Sequence, residues 1–253
     1  MPPDTTPAGT LRAVIVDDEE LARRGLRRDL QEMGGIEVVA ECADGFEAVK
    51  AAAELKPDLV LLDIQMPRLD GFEVLSLLDP AIAVVFVTAH DDRAVQAFEV
   101  NAVDYVMKPV DPVRLRRAVE RASERLRRRE PMPVARLEAA ARPKGEPLTR
   151  ILLRDGSRVH VIPVAQIDYV EAQDDYVAVR AAGKSHLKPQ AIGDLEALLD
   201  PRQFVRIHRS YILNLDRLDR IDLYAKDSRV AILKDGTRLP LSRAGHQRLR
   251  ALL

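Results

Sequence analysis

Groups capable of chemistry stand directly after apolar runs at four points in the chain. Asp17-Asp18 follow residues 12–16, Asp63 follows 59–62, Thr88 follows 84–87 and Lys108 follows 105–107. Three clustered carboxylates cannot all stay ionised without a counter-charge. A hard, oxygen-binding cation, Mg²⁺ by default, supplies it, because such an ion takes one or two carboxylates and keeps waters and phosphate oxygens. Together with Lys108 it would neutralise a phosphoryl group on Asp63, and Thr88 would hydrogen-bond that group. The chemistry these residues suit is therefore covalent phosphorylation of a carboxylate. Singly, each has a plainer explanation: Asp17-Asp18 can start a helix, Asp63 can cap one, and Tyr105 can be a half-buried strand residue. Their recurrence at four strand ends carries the argument.

The elements that must hold these groups are legible from the apolar pattern. Leu59-Val60-Leu61-Leu62 has no polar face, as expected of a strand covered on both sides in a parallel sheet. Residues 12–16, 36–42, 84–87 and 105–107 read as four more strands. Between them lie helical patterns: Leu21, Leu26, Leu30 and Met33 up to Gly34-Gly35; Phe46, Val49 and Ala53 before Pro57; Leu75 and Leu78; and a weak helix at 94–100. Pro112 suits the first turn of a last helix carrying Leu115, Val119 and Leu126. Alternating strands and helices of this kind make a doubly wound α/β fold with a five-stranded parallel sheet, whose ligands bind beyond the carboxyl ends of the strands.

The 253 residues suggest two domains. Residues 1–9 read as a disordered N-terminus, 10–126 as the α/β domain, 127–147 as a linker rich in Ala, Arg and Pro, and 148–253 as a second, mostly-β domain. In that second half Asp155-Gly156 and Asp235-Gly236 mark hairpins, Gly183 turns another, and helices are expected at 191–199 and from Ser242. The net charge of −1 hides an asymmetry: residues 1–126 carry a net −9, and residues 148–253 a net +5 with four of the five histidines. An acidic module joined to a basic one suits regulation of a polyanion binder. The polar start, Met1-Pro2-Pro3-Asp4, is no signal peptide, no apolar run has membrane-spanning length, and Cys42 stands alone without a disulfide partner, so the expectation is a cytoplasmic protein with no membrane association.

Val16-Asp17-Asp18-Glu19, Leu62-Asp63-Ile64-Gln65-Met66-Pro67, Val87-Thr88-Ala89 and Tyr105-Val106-Met107-Lys108-Pro109 resemble the receiver domain of two-component response regulators. The resemblance implies Asp63 as acceptor of a phosphoryl group from a sensor histidine kinase. It implies Mg²⁺ held by Asp18, Asp63 and the backbone carbonyl of Gln65, with Asp17 acting through water. Thr88 and Tyr105 would be the switch pair, and Lys108, aimed by a cis bond to Pro109, would contact the phosphoryl oxygens. On phosphorylation Thr88 would move toward the new charge, Tyr105 would turn inward, and the surface over 94–125 would pair two copies in a homodimer. A phosphatase of the haloacid-dehalogenase kind also uses a strand-end Asp, but it places a second acid two residues later, where Gln65 stands here. The expectation is therefore not an enzyme.

In the β half, the stretch from Arg202 to Asn214, with Ile167-Asp168-Tyr169-Val170-Glu171-Ala172, Asp175-Tyr176-Val177 and 233–243, resembles a LytTR-type DNA-binding domain. Alternation predicts Val205 and Ile207 inward and Arg206 and Arg209 outward. The resemblance implies β-fold loops entering successive major grooves of double-stranded DNA, with Arg209 and Arg243 as base readers. Asp175-Tyr176 would approach the DNA, and Lys188, Arg206 and Ser210 would hold phosphates. Pro189 departs from the pattern by threatening the strand that ends at Lys188. His208, His160, His186 and His246 read as structural. The alternative function is a phospho-dependent signalling protein whose β domain binds protein.

Overall fold

The computed structural model describes residues 10–89, 102–128, 147–225 and 228–252. The chain divides into two compact units. The first contains β1 (Leu11–Val16), α1 (Glu20–Met33), β2 (Ile36–Cys42), α2 (Gly45–Leu55), β3 (Leu59–Leu62), α3 (Gly71–Leu77), β4 (Ala83–Thr88), β5 (Asp104–Met107) and α4 (Pro112–Arg128). Its sheet is parallel with order β2-β1-β3-β4-β5. All of β3 and β4 is buried, as an all-apolar central strand requires. The strand order reverses between β1 and β3, the switch point where this architecture opens a crevice. The helix expected at 94–100 lies outside the described residues.

Two of the helical patterns are seated differently from the expectation. Leu21 is 81% exposed, while Leu26 and Leu30 are buried. Leu21 lies five positions before Leu26, which carries it well off the stripe that a spacing of three or four defines. In α2 the buried positions are Gly45, Ala48, Val49 and Ala52, and Phe46 and Ala53 are only partly covered. The cause is Gly45, which packs so closely on Leu69 and Val74 that a Cβ would overlap them. Phe46 instead lies under the Arg68 guanidinium, 5.3 Å from the ring centre.

The C-terminal part of the chain contains β6 (Arg150–Asp155), β7 (Arg158–Pro163), β8 (Ile167–Gln173), β9 (Tyr176–Ala181), β10 (Lys184–Lys188), α5 (Ile192–Glu196), β11 (Phe204–His208), β12 (Tyr211–Asn214), β13 (Leu218–Ala225), β14 (Ser228–Leu233), β15 (Arg238–Leu241) and α6 (Arg243–Arg250), and all of it from His160 on lies in the second unit. Its main sheet runs β10-β9-β8-β12-β11, beside a three-stranded sheet β13-β14-β15 and the hairpin β6-β7. Ala182 and Gly183 both have positive φ, which suits the tight turn between β9 and β10. Pro189 falls just beyond β10, and the pairing stays regular through Lys188 opposite Val177. The helix expected at 191–199 is shorter, ending at Glu196.

Both faces of the main sheet are covered. Val170, Val179, Phe204 and Ile212 pack on one side with Ile151, Ile162 and Leu195, and Val205, Ile207 and Leu213 on the other with Ala231, Leu239 and Leu249. Phe204 and Val205 are therefore buried in succession. The open edge of β11 is sealed by the start of α6: the Ile207 carbonyl accepts from Ser242 N at 3.0 Å and from its hydroxyl at 2.9 Å. Gly245 is required there, because a Cβ would overlap that same carbonyl. No helix among the described residues is long and apolar enough to cross a membrane.

Candidate functional site

In the first unit the sheet ladder extends one residue beyond each strand. Asp63 N donates to Val16 O at 2.9 Å and Lys108 N to Thr88 O at 2.8 Å, so each polar side chain leaves the sheet at the same edge. Lys108 Nζ then lies 2.7 Å from Asp17 Oδ2 and 2.8 Å from Asp63 Oδ2. Asp18 completes the group: oxygens of Asp17, Asp18 and Asp63 lie within 4.8 Å of one another, the only such cluster of three among the described residues. Gln65 is exposed, and its N–H points back to Asp63 Oδ1 at 3.4 Å. The Lys108-Pro109 bond is cis.

The electrostatics are unbalanced. Asp17 is almost wholly buried, and burial holds its carboxyl above the usual range despite hydrogen bonds from Lys108 and the Glu19 N–H. Burial pulls Lys108 down, but its hydrogen bonds to Asp17 and Asp63 outweigh this and leave the ammonium held above its ordinary value. Three carboxylates share one ammonium, and all the side-chain donors are oxygens. That deficit of positive charge, in an oxygen-only set, fits a hard divalent cation. Thr88 is fully buried, and its hydroxyl has no hydrogen-bond partner among the described residues.

Three features here were not anticipated from the sequence. Tyr105 is only 7% exposed; its N–H donates to Asp104 Oδ1 at 2.8 Å and its carbonyl accepts from Arg114 at 2.7 Å. Asp104, itself buried, is paired with Arg114 and, at 3.0 Å, Arg121. Burial alone would raise this carboxyl, but the Arg114 hydrogen bonds prevail and hold it below the usual range. Gly71 donates to Ile64 O at 2.8 Å, and a Cβ there would overlap the Asp63 carbonyl, so this glycine seats the loop behind the acceptor candidate.

In the second unit, pairing brings the predicted residues to one end of the sheet. The β8–β9 turn is Asp174-Asp175, and Tyr176, 48% exposed, opens β9 opposite Gln173. Lys188 closes β10 opposite Val177. Ala172 N donates to Ser210 O at 2.8 Å, which sets the Arg209-Ser210 turn beside them. Arg243 follows Ser242, which is bonded to Ile207 of the same turn-bearing strand. Asp175, Arg209 and Arg243 are exposed, and Lys188 and Ser210 half-buried.

Arg206 departs from the expected outward pose. Its Nη1 donates to Glu196 Oε2 at 2.9 Å, its Nη2 to Arg209 O at 2.6 Å and its Nε to His208 O at 3.4 Å. A half-buried guanidinium needs such partners, and the Glu196 carboxylate supplies one from α5. Arg248 joins from α6, donating to Arg206 O at 3.1 Å with Glu196 Oε1 3.7 Å away. These side chains, with His208, Arg209 and Ser242, line an open cleft of about 610 Å³. His208 is structural as expected, its Nδ1 accepting from Ser210 N at 3.3 Å. His160 and His186 meet with ring centres 5.5 Å apart, a proximity that 25 intervening residues hid. Tyr211 donates to Glu171 at 2.7 Å, and this bond pushes the phenol up to about 12. Asn214, fully buried, bridges Ile167 O and Asp216 N.

Comparison with known proteins agrees with both halves of this description. A response regulator receiver domain model matches residues 13–120, and a LytTR DNA-binding domain model matches residues 157–253. The chain is 36% identical over 235 residues to an uncharacterised response regulatory protein of Yersinia pestis, covering 92% of this chain and 94% of that one. It is 35% identical over 237 residues to the transcriptional regulatory protein BtsR of Escherichia coli K12, covering 92% and 95%. A response regulatory protein of Vibrio cholerae is 35% identical over 245 residues, covering 96% and 98%.

Proposed function

Since this chain belongs to the response regulators that join a receiver domain to a LytTR DNA-binding domain, and is a phosphorylation-controlled, DNA-binding transcriptional regulator, we propose that Asp63 is its phosphoacceptor. The observation that carries this reading is the Lys108 ammonium held between Asp17 and Asp63 at the sheet edge. An Asp63 carboxylate oxygen forms the bond to phosphorus while the bond from phosphorus to the sensor kinase's histidine nitrogen breaks. Lys108 stays beside the new phosphoryl oxygens, and the unpartnered Thr88 hydroxyl donates to one of them. Asp18, Asp63 and the Gln65 carbonyl, with Asp17 through water, are the set we assign to Mg²⁺; that ion supplies charge neutralisation on the phosphoryl oxygens when bound. Tyr105 and the cis Lys108-Pro109 bond complete the switch region.

The receiver is taken as residues 10–126, the linker as 127–147 and the DNA-binding domain as 148–253. At the sheet end of that domain, Arg209 and Arg243 read bases, Lys188 and Ser210 hold phosphates, and Asp175 and Tyr176 border the groove. Phosphorylation brings two copies together as a homodimer on promoter DNA in the cytoplasm. Incubation with a small phosphodonor and Mg²⁺ tests the acceptor: the wild type takes up one hydroxylamine-labile phosphate, and Asp63→Asn takes up none. Full labelling of Asp63→Asn removes the assignment.

A further inference from the structure

Arg206 and Glu196 are placed as a clamp on the turn that presents Arg209. Arg206 spends its fork within the chain: two of its donors reach the carbonyls of His208 and Arg209, and a third reaches Glu196. Glu196 is braced in turn by Arg248, whose guanidinium also meets the Arg206 carbonyl. A carboxylate at a face that meets a polyanion weakens binding by simple electrostatics. Its presence there, locked to two arginines from two other elements, calls for a different role. Only a planar guanidinium can hold two successive carbonyls and a carboxylate at once; an ammonium offers no such fixed fork.

We infer that Glu196 and Arg206 are positioning residues for base reading: Arg206 fixes the backbone of the 208–210 turn so that Arg209 projects in one direction, and Glu196 aims Arg206. This inference rests on the reading of this sheet end as the DNA-binding face. It removes Arg206 from the phosphate contacts expected of it and adds Glu196, a residue the sequence did not single out.

The test uses the full chain, a duplex enriched by the wild type from a random pool, and a scrambled duplex of equal length. Binding is titrated at several salt concentrations for wild type, Glu196→Gln, Arg206→Lys and the double variant, with thermal unfolding measured on each. The two single variants keep bulk and fold, and each loses roughly tenfold of its preference for the enriched duplex, the weight of one bidentate base contact. The salt slope is unchanged, and the double variant is no worse than either single one, because both changes release the same turn. Three results would overturn the clamp: wild-type preference in Arg206→Lys, wild-type preference in Glu196→Gln, or additive losses in the double variant. A wild type that enriches no duplex at all defeats the DNA-face reading as well, whereas a selective wild type with an equally selective Glu196→Gln defeats the clamp alone.

Discussion

The two units solve the same problem, holding charge where a phosphorylated ligand must meet it, in opposite ways. In the receiver the groups are drawn inward: Asp17 and Asp63 are almost fully buried, and Lys108 is caught between them at hydrogen-bonding distance. In the DNA-binding unit Arg209, in a turn, and Arg243, opening α6, are exposed, and the ordering is done from behind, by Glu196, Arg206 and the Ser242–Ile207 bonds. Burial ties the first site to the placement of its neighbours. Exposure makes the second adaptable, with its geometry lodged in residues that need not touch the ligand.

The largest expected effect lies at the buried site. Asp63→Asn abolishes phosphate uptake, and Asp18→Asn reduces it through weakened metal binding, measured by labelling across a Mg²⁺ titration. Uptake by Asp18→Asn that matches wild type at every Mg²⁺ concentration would separate Asp18 from the metal. Next comes the frame of the exposed site. Gly245→Ala forces a methyl group into the Ile207 carbonyl and lifts α6 from the β11 edge. Overpacking of this kind costs about 1–3 kcal/mol, read as a lowered denaturation midpoint with the receiver still phosphorylated normally. If the midpoint is unchanged, α6 does not sit on that edge.

Smaller effects sharpen the distinction between reading and anchoring. Arg209→Ala or Arg243→Ala costs roughly 1–3 kcal/mol at particular base positions, whereas Lys188→Ala weakens all sequences alike and lowers the salt slope by about one. Uniform weakening by all three in competition titrations would erase that distinction. The mildest test concerns Asp104, whose folded carboxyl sits below its unfolded value. A depressed carboxylate contributes stability that is fully present above its unfolded pKa, about 3.9, and is lost as pH falls through the folded pKa. Denaturant unfolding of Asp104→Asn should therefore show its deficit at pH 7 and converge on wild type in strong acid. A deficit of the same size at both ends would exclude the ion pair as its source.

The receiver site was legible because each functional side chain follows an apolar strand directly, and parallel strands put all such ends at one edge. Asp17, Asp63, Thr88 and Lys108 needed no further information. Leu21 is misplaced by its own spacing from Leu26, whereas Phe46 depends on what packs against its helix: Gly45 on Leu69 and Val74 turns α2 in a way its own periodicity does not state. Asp104 with Arg114, and Glu196 with Arg206, were missed for a related reason. Each pair joins different elements, and a charged residue in sequence carries no mark of its partner. Arg206 was expected outward because alternation gives the side of the strand but not what stands opposite. Asp175, Arg209 and Arg243 are singled out by resemblance; sheet register accounts for Asp175 and Arg209 lying at one end, and the Ser242–Ile207 bonds bring Arg243 to β11.

The central claim is that phosphate on Asp63 controls DNA binding by the second unit. The direct measurement is the affinity of the full chain for its enriched duplex, with and without phosphodonor in Mg²⁺, at fixed salt. Allosteric coupling of ordinary size, 1–3 kcal/mol, shifts affinity about 5- to 150-fold. A shift in that range is expected for the wild type and none for Asp63→Asn. Superimposable isotherms for fully phosphorylated and unmodified wild-type protein would contradict it.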